Sequence, residues 1–191
     1  MTLLLLGLLL FFGAHAIRIV AAPWRARQIA RLGENRWKGL YSLVSLAGLA
    51  LMVWGYGLTR AAPELWHHPV WTRHLAALLT LPAFVLLVAT YVPGSRIKAW
   101  IGHPMLAGVK LWALAHLLAN SRPGDLLLFG AFLVWAVIAF IAARRRDRAA
   151  NTRYPAGKTS GDVLVVAIGL SAWVLFALYG HAWLVGVRPF G

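Results

Sequence analysis

Four of the seven histidines, His15, His103, His116 and His181, lie within or at the ends of stretches apolar enough to cross a bilayer. An imidazole is costly in hydrocarbon, and its usual work there is to hold a proton, an ion or a metal. Cysteine is absent, which excludes disulfides, iron–sulfur clusters, thiolate ligation of haem and covalent haem attachment through C-x-x-C-H. Any metal must therefore rest on histidine. The five acids, Glu34, Glu64, Asp125, Asp147 and Asp162, fall in loops or at helix ends, so the buried carboxylates of a proton pump are missing. Zinc hydrolysis is weakly supported too, with no H-E-x-x-H and no acid within an apolar run to activate water. Non-covalent haem asks for less: one or two neutral imidazoles, an apolar slot between helices, and cations for the propionates. Arg18, Lys38 and Lys110 carry the charge for that last task, against a default of snorkelling to the interface.

The elements that position these groups follow from composition. The chain has 191 residues, 61% of them hydrophobic, with ten tryptophans and a mean hydropathy of +0.71. That describes an all-α polytopic membrane protein, residues 1–191 forming one transmembrane domain with no soluble module. The apolar runs predict about six helices: Met1 to Val20, Gly39 to Leu58, His74 to Tyr91, Pro104 to Asn120, Leu126 to Ala143 and Val163 to Val187. Asp125 and Asp162 are placed as N-caps, Pro104 as a first-turn residue, and Pro93-Gly94 as a breaker. Pro82 predicts a kink in the third span. Gly7, Gly13, Gly48, Gly55, Gly169 and Gly180 are the expected points of close helix approach.

A net charge of +14 raises nucleic acid as a partner, but the basic residues sit in loops between apolar runs rather than on one face of a water-exposed domain. They are better matched to anionic lipid headgroups and to the positive-inside rule. The loops after the first, third and fifth spans hold most of them, including Arg25, Arg27, Arg31, Arg96, Lys98 and Arg144 to Arg146. Those loops are expected on the cytoplasmic side of an inner membrane, with both termini periplasmic. The run Leu3 to Ala16 ends in Ala14-His15-Ala16 but lacks a basic n-region, so it reads as a retained anchor rather than a cleaved signal.

Spacing constrains the histidines. His103 and His116 are thirteen residues apart on one helix, about 20 Å in rise, and cannot share one iron. Lys110, seven residues after His103, is on the His103 face. His15 and His116 lie at depths that helix tilt can match, whereas His74, His116 and His181 form an alternative grouping toward the outer side. Each has a plain structural reading as well, a hydrogen bond to a neighbouring carbonyl contributing about 1 kcal/mol or less. His67 and His68, beside Trp66 and Pro69, read as solvated interface residues.

Several segments resemble the NnrU family of bacterial membrane proteins. They are Ala14-His15 with the basic stretch to Gly33-Glu34, then Lys38-Gly39-Leu40-Tyr41-Ser42-Leu43-Val44-Ser45, and above all His103-Pro104-Met105-Leu106 running into Leu111-Trp112-Ala113-Leu114-Ala115-His116-Leu117-Leu118-Ala119-Asn120. The resemblance covers nearly the whole chain and implies a link to nitric oxide and nitrite metabolism in denitrifying bacteria. The same domain is similar to plastid zeta-carotene isomerases, in which haem b serves isomerisation of a cis double bond. By that resemblance His15 and His116 are the haem-ligand candidates. The plant proteins carry a cysteine three residues before the L-A-H histidine, where this chain has Ala113, so exchange of histidine for thiolate is not available here.

The resulting expectation is a haem b-binding inner-membrane protein. His15 and His116 are its metal ligands, Arg18, Lys38 and Lys110 lie near the propionates, and His103 is a supporting donor. Its role would be nitrogen-oxide chemistry or an isomerase-like redox reaction on a lipid-soluble substrate, with a lipid-soluble or gaseous ligand. The alternative is a cofactor-free membrane accessory factor that binds a partner protein. A weaker third reading is a metal or small-molecule conduit through the outer histidines.

Overall fold

The leucine-rich start of the chain has no proline for five turns, and it folds as α1 (Thr2–Val20). The computed structural model describes residues 1–190, and the described residues form helices and no strands. After α1 come α2 (Ala22–Leu32), α3 (Glu34–Thr59), α4 (Val70–Tyr91), α5 (Arg96–Ile101), α6 (Pro104–Ala119), α7 (Pro123–Ala149), α8 (Thr159–Leu175), a π-helical turn (Phe176–Gly180) and α9 (His181–Val185). Helices α1, α3, α4 and α7, and the continuous run from α8 through α9, are long and apolar enough to cross a membrane. Helix α6 is apolar but has 16 residues, about 24 Å of rise against a hydrocarbon core of about 30 Å. Leucines such as Leu9, Leu43 and Leu46 are largely exposed, and Trp100 and Trp183 almost wholly so. Apolar side chains turned outward in this number are the surface of a chain whose solvent is lipid. The fold is an all-α polytopic membrane protein.

The chain divides into two compact units. The first comprises residues 1–65 and 122–131, the second residues 66–121 and 132–191. In the first, α1 and α3 run antiparallel at backbone contact. A Cβ on Gly7 would fall 2.4 Å from the Met52 amide nitrogen, one on Gly48 2.7 Å from that of Phe11, and one on Gly55 2.3 Å from that of Leu4. No residue but glycine fits at these three crossings. At the start of α7 the buried Asp125 accepts from the Tyr56 hydroxyl at 2.7 Å and from the Arg122 amide at 3.0 Å.

In the second unit α4 is central, packed on α6 and on α8. Gly108 meets the Ala83 carbonyl, Gly169 meets Val85, and the Trp173 indole donates to Thr80 Oγ1 at 3.0 Å. The turn between α4 and α5 is pinned to the start of α8. The Asp162 carboxylate accepts from Ser95 Oγ, the Arg96 guanidinium and the Ile97 amide, each at 3.1 Å.

Some expectations need correction. Asp125 and Asp162 stand inside the first turns of α7 and α8 rather than before them. Asp125 reaches back to the Arg122 amide, and Asp162 reaches across to another segment, so each satisfies orphan amides from within. A methyl placed on Gly13 would meet no heavy atom within 4 Å, so Gly13 makes no close approach; the atoms nearest Gly180 are those of the Phe176 ring of its own turn. Pro82 lies inside α4, as the sequence places it. Pro104 does open α6, and the chain turns at Gly94 with φ +72°.

Candidate imidazole site

Three of the four membrane histidines share one local device. In α1 the His15 ring stacks on Phe11 at 4.1 Å, and its Nδ1 lies 2.7 Å from the Phe11 carbonyl one turn back. In α6 the His116 ring leans on Trp112 at 5.0 Å, with Nδ1 2.8 Å from the Trp112 carbonyl. His181 opens α9, with Nδ1 2.7 Å from the Val187 carbonyl. A carbonyl can only accept, so each Nδ1 donates its proton there. Fixing the tautomer through a backbone carbonyl is how metal-binding imidazoles are ordinarily oriented. For His15 and His116 the aromatic residue at i−4 adds a wall that restricts the ring.

His15 belongs to the first unit, where Tyr41 of α3 also approaches its ring at 5.2 Å. Arg18 follows one turn later and is exposed. Lys38 forms an exposed ion pair with Glu34 at 2.8 Å. His116 belongs to the second unit, and so does His181, whose ring centroid is 6.5 Å from that of His116 with planes 21° apart. The alternative trio with His74 does not assemble. Among the described residues no three His, Cys, Asp or Glu side chains stand close enough to hold a metal ion, and His74 is exposed on α4.

His103 lies elsewhere in the second unit, as the residue before α6. Its Nε2 is 2.8 Å from Asp147 Oδ2 near the end of α7, and Tyr154 donates to the same oxygen at 2.6 Å. Burial, reinforced by the carboxylate, pushes the Tyr154 phenol up to about 12. Lys110 sits over the Phe140 ring at 3.8 Å, a cation–π contact in place of snorkelling. Phe140 also meets His103 edge-on at 6.2 Å, so Lys110 and His103 do share a face. Sequence reasoning missed Asp147 and Tyr154 as partners of His103. They lie 44 and 51 residues away, beyond any periodicity.

What each unit can offer is an imidazole oriented through Nδ1, His15 in the first and His116 and His181 in the second. Ala113, one turn before His116, is fully buried, and no thiol competes with the imidazoles. The donor set suits haem iron, which accepts one or two histidines, better than a structural zinc, which needs four ligands. The family model described as NnrU protein matches residues 3–189. No curated protein and no solved structure matches the chain.

Proposed function

The chain belongs to the NnrU family, and on that premise we propose that it is a haem b-binding protein of the bacterial inner membrane with both termini in the periplasm. The observation that carries the reading is the repeated device at His15 and His116, where a helix carbonyl at i−4 holds Nδ1 and an aromatic at i−4 walls the ring. A plain packing histidine needs only one hydrogen bond to any neighbour. Two rings held through Nδ1 in the same way match the ordinary orientation of a metal-binding imidazole.

In this reading His15 in the first unit and His116 in the second are each candidates to hold haem iron. Arg18, Lys38 and Lys110 are the cations for the propionates, and the His103–Asp147–Tyr154 cluster anchors the start of α6 against α7. When bound, the haem supplies redox or ligand-binding chemistry toward a gaseous or lipid-soluble molecule in nitrogen-oxide metabolism. The protein's own residues orient the imidazoles through the Phe11 and Trp112 carbonyls and supply no thiol. The test is an absorption spectrum of protein purified from a haem-replete host, oxidised and then reduced with dithionite. A Soret band with sharpened visible bands on reduction is expected in the wild type, with loss of at least about tenfold in haem occupancy for His116→Ala, the scale that a ligand change commands. A colourless protein that takes up no added haem overturns the reading.

A further inference from the structure

We propose that α2 is a surface helix whose Arg27 and Arg31 bind the phosphate groups of anionic phospholipid. Helices α1 and α3 are both long and apolar enough to cross a membrane, and they run antiparallel. Helix α2 joins the end of one to the start of the other. Its 11 residues, about 16 Å of rise, therefore lie at one surface of the bilayer, and none of them is buried. All three helices belong to the first unit.

The sequence of α2 divides by the helical period. Ala22, Ala26, Ile29 and Ala30 fall on one stripe, and Trp24, Arg27, Gln28 and Arg31 on the opposite one. The three alanines are exposed although apolar, and Arg27 and Arg31 are exposed as well. A helix lying in the interface plane needs both stripes, a shallow apolar one toward the acyl chains and cations level with the phosphates. Trp24 meets the Trp37 ring of α3 edge-on at 5.8 Å, and indoles at the end of a membrane helix belong at headgroup depth.

Charge names the partner. From Arg18 to Lys38 the chain carries six cations and one acid, Glu34. Glu34 is engaged by Lys38 at 2.8 Å, and Arg27 and Arg31 enter no ion pair among the described residues. Two exposed guanidiniums one turn apart, with no counter-charge from the chain, suit lipid phosphate. A nucleic acid or an acidic protein would reach the same arginines from water, but neither would use the alanine stripe.

The chain has no cysteine, so single nitroxide labels report on chosen positions. Ala26→Cys and Gln28→Cys, one on each stripe, are labelled in the full-length protein and reconstituted in nanodiscs of phosphatidylcholine with a rising fraction of phosphatidylglycerol. Collision with oxygen, which concentrates in hydrocarbon, and with a nickel chelate, which stays in water, reads the depth of each label. The proposal expects the Ala26→Cys label to be the deeper one and to sink further as phosphatidylglycerol is added. Arg31→Gln should need about fivefold more phosphatidylglycerol for the same shift, the scale of one surface cation against an anionic leaflet. Arg27→Gln/Arg31→Gln should show no shift, and Arg27→Lys/Arg31→Lys, which keeps the charge, should retain most of it. Labels of equal depth, a depth indifferent to phosphatidylglycerol, or a double glutamine variant that still responds overturns the proposal. So does an equal shift when inorganic phosphate is added to discs of phosphatidylcholine alone, which would assign the arginines to a soluble anion.

Discussion

Within each unit, taken by itself, a different kind of contact predominates. In the first, α1 and α3 meet backbone to backbone through Gly7, Gly48 and Gly55, and the contact is steric. In the second, polar side chains cross-link segments distant in sequence: His103 with Asp147 and Tyr154, Asp162 with Ser95, Arg96 and Ile97, and Trp173 with Thr80. In lipid there is no hydrophobic drive between helices, so close van der Waals approach and hydrogen bonding are the two means of association. Both units use both means in different proportion: the first adds the Tyr56–Asp125 hydrogen bond to its glycine seam, and the second adds close approach at Gly108 and Gly169 to its polar cross-links. The glycine seam fixes where α1 runs and hence where His15 is carried. The polar cross-links hold the elements that bring His116 and His181 together.

The comparison can be broken at several points, in falling order of effect. Gly55→Val drives a branched side chain into the Leu4 backbone and should destabilise the first unit by about 3 kcal/mol or more, read as a lower midpoint in detergent-induced unfolding. No change would mean the seam is not the binding contact. Asp147→Ala removes a carboxylate shared by His103 and Tyr154 and should cost about 2 kcal/mol, measured in the same assay. If it matched Tyr154→Phe, expected near 1 kcal/mol or below, the carboxylate would not be the hub of the cluster. Gly13→Ala, where no atom waits within 4 Å, should stay within about 0.5 kcal/mol of wild type, separating the packed glycines from the merely helical one.

Tyr154 adds a pH-dependent edge to the comparison. Its folded-state pKa is raised from 10.0 to about 12, so its contribution to stability is complete below pH 10 and is lost as pH climbs toward 12. The Tyr154→Phe variant should lack that alkaline slope in an unfolding titration. An identical slope in both proteins would place the cause at another group.

Much of the fold was legible because lipid imposes a simple rule: six apolar runs became six apolar helices. The boundaries shifted where polar turns continue a helix, as at Glu34–Lys38, whose ion pair spans one turn and starts α3 five residues before Gly39. Helices α2 and α5 carry several arginines and lysines or are very short, so hydropathy passed over them. The candidate ligands were visible as imidazoles in apolar sequence, and the motif around His116 pointed to the family. Which glycines touch a neighbour was not visible, since Gly13 and Gly7 look alike in sequence and differ only in what stands opposite. Nor was the approach of His181 to His116. Depth along a helix follows from counting residues, but facing does not once a π-turn breaks the 3.6-residue period.

Iron held by histidine is the centre of this account, and the reduced-minus-oxidised spectrum of the purified wild-type protein tests it most directly. Sharp reduced bands of a histidine-ligated haem b are the predicted result. A flat difference spectrum that stays flat after haem is added to the folded protein would contradict it.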